Sequence, residues 1–242
     1  MKVVAIIQAR MNSMRLPNKV MMKINNTPII ELLIDRLSKS KLINQIVLAT
    51  SDNESNIPLA KYVKSLGYEV FAGSEEDVLD RYYHAAKFSE ADIVVRITGD
   101  CPLVDVDIVD EVIKGFINSN AEYASNREPP TYPDGLDVEV ISIKTLQDAN
   151  KKVMDDSHRE HVTPYIIKTE AYKKFYLKHS EDLSGERWTI DEPEDFTVIQ
   201  NIFNFFHPVK DFSWKEIMQL RESNPKLFEQ NQHLIRNTGH SM

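Results

Sequence analysis

The stretch "VVAIIQARMNSMRLPNKVM" (residues 3–21) joins a buried-strand pattern to a cationic loop. Val3 to Ile7 form an unbroken apolar run closed by Gln8, as expected of a strand covered on both faces rather than one with a wet side. The run breaks into a polar loop holding Arg10, Arg15 and Lys19, in a chain whose formal charge is -8. Ligands of doubly wound α/β sheets bind beyond the carboxyl ends of the strands, so the loop is placed to meet an anion. It lacks the glycines of a dinucleotide fingerprint, and no GxxxxGK[ST] occurs in the chain.

Outward from this stretch, strand and helix signals alternate. "TPIIELLIDRLSKS" has helical spacing at Ile30, Leu33, Ile34 and Leu37, with Thr27 placed as the N-cap and Pro28 as the first helical residue. "QIVLAT" reads as a second strand, and "NIPLAKYVKSLG" as a helix closed by Gly67. "YEVFAG" and "DIVVRITGD" read as the third and fourth strands, each followed by a helical segment. The alternation predicts an α/β, doubly wound, mainly parallel sheet. Near Ala121 the rhythm changes to a Pro-rich stretch, and "LDVEVISI" alternates like an antiparallel strand. Residues 1–120 and 181–210 are therefore expected to form the core. Residues 121–180 are expected as a small strand-rich excursion for dimerisation and acceptor binding, and 211–242 as a C-terminal helix and a polar, fraying tail. "DSHREHVTPYIIKT" is expected to be one helix ended near Pro164.

The composition is that of a soluble globular chain: 242 residues, 42% hydrophobic and 27% charged. The acidic balance argues against bulk nucleic-acid binding, whose electrostatic term needs a basic surface. No stretch approaches the roughly 20 apolar residues that span a bilayer, and no secretion signal is visible. Cys101 is the single cysteine, which excludes an intrachain disulfide and fits a reducing, cytoplasmic setting. It reads as a small wall residue rather than a nucleophile.

Three loops fall at one sheet edge: the first loop, "ATSD" after the second strand and "TGDCPLVD" after the fourth. Arg forks phosphate bidentately and Lys acts as a point charge, so Arg10, Arg15 and Lys19 suit a triphosphate, or else are solvated surface cations. Asp100 ends an apolar strand, where a carboxylate is costly unless it is paired or binds a metal. Asp191 follows the short "RWTI" strand and could pair with it, or cap the helix begun at Pro193. Mg2+ is commonly held by one or two carboxylates while phosphates and waters complete the octahedron.

"IIQARMNSMRLPNKVM", "GSEEDVLDRYY", "RITGDCPLVD", "PDGLDVEVIS", "HREHVTPYI" and "RWTIDEPEDF" together resemble the sugar-acid cytidylyltransferases of the CMP-sialate and CMP-Kdo synthetase superfamily, more closely its SpsF-like branch. The resemblance runs colinearly over residues 1–200 and implies a nucleotide-diphospho-sugar transferase type of fold. It implies that Gln8, Ala9, Arg10, Arg15 and Lys19, with Thr50, Asp52 and Thr98, bind the nucleotide. Arg10, Lys19 and Asp100 would serve catalysis, and Asp100 and Asp191 would hold Mg2+. The better-known members have Gln before the Gly-Asp pair and an acid after it, where this chain has Thr98 and Cys101.

Acceptor candidates come from elsewhere. Asp137 and Glu139 lie two apart, so on a strand they share a face that lines an acceptor pocket, holds a second metal or is simply exposed. His158, Arg159 and His161 offer anion contacts or an ordinary helix surface, and Arg81 an acceptor contact or a helix-face ion pair. The expected function is a Mg2+-dependent transfer from a nucleoside triphosphate, CTP foremost, to an acidic small-molecule acceptor in surface polysaccharide or glycoconjugate biosynthesis. A homodimer is the expected assembly. The rivals are a metal-dependent glycosyltransferase, which would normally show an Asp-x-Asp pair absent from "TGDCP", and a GTP-using or phosphonate-activating nucleotidyltransferase.

Overall fold

A computed structural model describes residues 1–236; residues 237–242, part of the expected fraying tail, lie outside the described residues. The first strand, β1 (Val3–Gln8), lies inside a seven-stranded sheet, third from one edge. A tight antiparallel pair, β2 (Lys23–Ile24) and β3 (Thr27–Pro28), leads into α1 (Ile29–Leu37). Pro28, not Thr27, is the cap residue of α1, because Thr27 is engaged in pairing with Ile24. Next come β4 (Gln45–Ser51), α2 (Ile57–Ser65), β5 (Glu69–Gly73), α3 (Val78–Phe88), β6 (Ile93–Thr98) and α4 (Val106–Asn118). Then follow β7 (Tyr123–Ser125), β8 (Glu139–Ser142), α5 (Ile143–Lys152), α6 (Asp156–His161), α7 (Pro164–Lys168) and β9 (Lys174–Tyr176). Two helices, α8 (Pro193–Phe206) and α9 (Trp214–Ser223), finish the described chain apart from a 3-10 turn at Pro225–Asn231.

Across the sheet the order is β5-β4-β1-β6-β8-β7-β9. The first four strands are parallel, with Gln8 level with Ala49 on one side and Thr98 on the other. Their apolar runs alternate between the two faces, as a pleat requires. Val3, Ala5 and Ile7 face α1, α4 and α8, while Val4 and Ile6 face α3 and α5. This three-layer packing is why the strands read as continuous apolar runs.

The 121–180 segment differs from the expected excursion. Its strands β8, β7 and β9 extend the central sheet, with β8 antiparallel to β6 and to β7, and β9 parallel to β7. Asp137 precedes β8 and does not share a strand face with Glu139. The "RWTI" segment forms only an isolated bridge, Asp134 to Arg187. The single helix expected up to Pro164 is two short ones, since Pro164 is the first residue of α7 rather than a terminator. Between them buried Val162 has φ 69 and ψ -55, and the Thr163 amide reaches the His161 carbonyl at 2.8 Å. That is a γ-turn of the strained hand, unusual for a β-branched residue.

The ends of β1 and β6 meet closely. A Cβ on Gly99 would lie 2.6 Å from the Ala9 Cβ and 3.1 Å from the Gln8 carbonyl oxygen. Gly99→Ala is therefore expected to cost about 1–3 kcal/mol through overpacking, read as a lowered denaturant midpoint with unchanged slope.

Candidate active site

The first loop is closed by its own backbone. The Asn18 amide bonds to the Met11 carbonyl at 2.9 Å, and Asn18 takes a left-handed conformation (φ 61) that asparagine tolerates. The Met11 amide is held by the buried side chain of Asn56 at 2.8 Å, which fastens the loop to the β4–α2 connection. The chain turning at Asn18 then delivers Lys19 into the interior, where it is 8% exposed.

Lys19 Nζ donates to Asp100 Oδ2 at 2.8 Å, Asp191 Oδ1 at 2.8 Å and the Ile190 carbonyl at 2.6 Å. An ammonium has three donors, and all three are used. Burial alone would lower its pKa, but Asp100 and Asp191 outweigh that and raise it. Burial would likewise raise Asp100; Lys19 reverses the sign and holds the carboxyl below its usual range. Asp191 also meets Arg15 at 3.2 Å and Arg187 at 3.5 Å. Its segment is pinned by buried Asp195, whose Oδ2 accepts from the backbone amides of Asp191 and Glu192 at 2.9 Å each, while Oδ1 takes Arg187 Nε at 2.8 Å. The amide of Ile190 bonds to the Asp100 carbonyl at 2.8 Å, so the two carboxylates sit on adjoining backbone.

This junction opens on a cleft of about 480 Å3. Its lining includes Gln8, Thr98, Asp100 and Asp191 together with Arg96, Arg127, Glu139, Thr163, Ile167 and Lys168. At its floor Glu139, 2% exposed, accepts from Arg96 and from the Tyr123 hydroxyl at 2.5 Å. Burial would raise its carboxyl, but Arg96 and Arg127 hold it down to about 2. Cys101 lies in the same wall, 3.1 Å from the Thr98 hydroxyl, and burial and Asp100 push its thiol well up, as befits an unreactive wall residue.

Lys19, Asp100, Asp191, Arg15, Gln8 and Thr98 are thus brought together, and Ala9 packs beneath them. Arg10 points elsewhere, toward Glu75 at 3.8 Å, on the side where β4 and β5 end. Asp52 is exposed at that edge, and Thr50 is buried with no partner for its hydroxyl among the described residues. Two of the acceptor candidates are engaged by their own chain. Arg81 is buried and donates to the Ser74 carbonyl. Arg159 ties Asp77 to Asn150 and the Val153 carbonyl. His158 lies outside the cleft beside Lys168, and it is His161 that lines the cleft. Asp137 lines it too, bonded to Arg236 at 2.6 Å. Arg96, Arg127 and Arg187 are cleft residues not singled out in the sequence, although a cation inside the apolar run "IVVRIT" marks Arg96, and Asp134 lines the cleft with them. Asp134, between Arg187 and Arg236, is pushed up by burial to about 6.

A family model for cytidylyltransferases matches residues 4–236. The chain belongs to the cytidylyltransferase family. It is 32% identical over 228 residues to the spore coat polysaccharide biosynthesis protein SpsF of Bacillus subtilis, covering 91% of this chain and 94% of that protein. A 3-deoxy-manno-octulosonate cytidylyltransferase of Geobacter metallireducens is 33% identical over 119 residues, 48% of this chain and 45% of that enzyme. The solved structure of a cytidylyltransferase from Leptospira borgpetersenii superposes with a TM-score of 0.91 at 33% identity, covering 95% of this chain and 97% of the other. No helix among the described residues is long and apolar enough to cross a membrane.

The cleft-floor carboxylate gives a stability test. Because the folded pKa of Glu139 lies below its ordinary 4.5, its contribution is present above pH 4.5 and is lost as pH falls toward about 2. Glu139→Gln is expected to cost about 3–5 kcal/mol at pH 7, since it strands buried guanidinium charge. It should also flatten the stability decline between pH 4.5 and 2, both read from denaturant midpoints across pH.

Proposed function

We propose that this cytidylyltransferase uses CTP and Mg2+ to activate a sugar acid, releasing pyrophosphate and leaving a CMP-linked sugar for polysaccharide or glycoconjugate assembly. The observation that carries this is the convergence of Asp100 and Asp191 on one cationic point at the sheet's carboxyl edge, beside a cleft roomy enough for a second substrate. SpsF and the 3-deoxy-manno-octulosonate enzyme supply the polysaccharide and sugar-acid context.

The donor set fits a hard divalent cation. Two carboxylates reach a common point, and among the described residues no third His, Cys, Asp or Glu joins them, so phosphate oxygens and waters would complete the shell, as Mg2+ prefers. Asp100 and Asp191 would hold the ion, which when bound offsets charge on the phosphoryl oxygens and the leaving pyrophosphate. Arg15, exposed beside Asp191, is positioned to take phosphate oxygens, and Arg10 reaches them by leaving its long contact with Glu75. Gln8 and Thr98, level with each other on adjacent strands, form the shelf where nucleotide and acceptor meet. Lys19 positions both carboxylates and neutralises part of their charge. The acceptor oxygen attacks the α-phosphorus, the bond to the pyrophosphate oxygen breaks, and the acceptor's proton leaves to solvent or base. No side chain becomes covalently attached.

Pyrophosphate release measured with CTP, GTP, UTP and ATP against a panel of sugar acids tests the assignment. CTP with at least one acid is expected to turn over; activity confined to GTP, or to a phosphonate acceptor, would replace it. Asp100→Asn should lower that rate at least 100-fold while leaving the thermal midpoint within a few degrees. Activity within tenfold of the parent would remove the metal role.

A further inference from the structure

Asp191 is not fixed by sheet pairing. Its segment makes one isolated bridge, Asp134 to Arg187, and beyond Ile190 its amides are held by the side chain of Asp195. Whatever holds Asp195 therefore sets where the backbone of Asp191 lies. Asp195 is fully buried, and Arg187 takes both of its oxygens, Nε on Oδ1 at 2.8 Å and Nη2 on Oδ2 at 2.9 Å.

A third group closes this arrangement from far along the chain. Asn231, 3% exposed at the end of the 3-10 turn, donates to Asp195 Oδ1 at 2.9 Å and to the Arg187 carbonyl at 3.0 Å. Both partners are acceptors, so the amide nitrogen must face them and both of its hydrogens are used. One side chain thus ties the two ends of the 187–195 segment together across 44 and 36 positions of sequence. Arg187 lines both the cleft and a separate smaller hollow, whereas Asn231 lines the hollow and not the cleft. The turn that carries Asn231 is pinned independently of this network. Asn201 on α8 donates to the Leu227 carbonyl at 3.1 Å, and Phe228 is buried.

We propose that Asn231 is a positioning residue for Asp191: it locks Asp195 and Arg187 against each other, and they carry the backbone from which the metal-holding carboxylate projects. This role rests on the reading above that Asp191 holds a divalent ion, and it extends the catalytic unit to the chain beyond α9. Mg2+ demands near-ideal octahedral geometry and tolerates little displacement of a ligand. Loss of a group that orients a ligand typically costs about 10–100-fold in metal affinity or activity. Without Asn231 the pair of Arg187 and Asp195 survives, but the Arg187 carbonyl is no longer tied to it, and Asp191 loses its fixed place.

Asn231→Ala is compared with Asn201→Ala, which loosens the same turn without touching Asp195 or Arg187. Both variants should lose some stability, read as lowered denaturant midpoints. Only Asn231→Ala should raise, by about tenfold or more, the Mg2+ concentration that gives half-maximal pyrophosphate release, with the KM for CTP at saturating Mg2+ within about twofold. Binding is also read without turnover: Mn2+, followed by the spin-resonance signal of the free ion, is titrated into each protein in the presence of CMP. The parent and Asn201→Ala should bind it alike, and Asn231→Ala about tenfold more weakly or worse. Equal Mn2+ binding by the parent and Asn231→Ala would overturn the assignment. So would an equal loss in Asn201→Ala, which would reduce the effect to general loosening. Should Asn231→Ala not fold, Asn231→Ser takes its place, since a hydroxyl has one donor for the two acceptors; a loss of about threefold is then expected, and binding equal to the parent's would overturn the role. Asp191→Asn tells the two readings apart. Mn2+ binding lost in Asp191→Asn but kept in Asn231→Ala leaves the metal site standing and removes the role of Asn231. Binding unchanged in Asp191→Asn removes the metal site and the role together.

Discussion

Everything at the sheet's carboxyl edge depends on one ammonium group. Lys19 joins Asp100 across 81 positions of sequence and Asp191 across 172, and among the described residues no other side chain bonds to both carboxylates. Without that charge two acids, one at the end of an apolar strand and one on adjoining backbone, would face each other at the rim of the core. The cost of leaving them unpaired is several kcal/mol for groups so placed. The surrounding architecture serves this contact. Asn18 turns the loop inward, Asn56 holds the loop's far side, and Asp195 grips the amides that carry Asp191. The same Asp195 closes the capping box of α8 with Glu192, so the helix start and the site share their anchors.

The charges in the cleft divide into two kinds. At the junction, positive and negative groups are closely matched in an interlocked set of Arg15, Lys19, Arg187, Asp100, Asp191 and Asp195. At the floor Glu139 stands between Arg96 and Arg127, and Asp137 and Glu128 act on Arg127 as well.

The parallel half of the sheet was legible because its strands are buried on both faces and its helices are amphipathic, so periodicity alone separates them. The later half was not, because β7 and β9 are three residues long and β8 four, too short for alternation to declare which sheet they join. Pro164 misled for a physical reason: proline is equally at home as a first helical residue and as a breaker. The charged junction was legible from the cationic loop that carries Lys19 and from the carboxylates Asp100 and Asp191 that follow apolar segments. The engagement of Arg81 and Arg159 with backbone carbonyls was not, since which carbonyls lie within an arginine's reach is known only after folding. Arg127 sits in a loop whose "NREPP" composition says turn and nothing more.

The antiparallel insertion of β8 beside β6 bears on the order of assembly. Strands β1, β4, β5 and β6 are joined by local crossovers and can pair as they emerge, each closing a modest loop. The bond from the Ile190 amide to the Asp100 carbonyl, and the Asp191 carboxylate with it, must wait for a segment about 90 residues further on. Until that return is made, Lys19 and Asp100 have no third member, and the cleft lacks one wall. Competence of the site is therefore a late event in the folding of the chain and reports on completion of the whole sheet rather than of its first half.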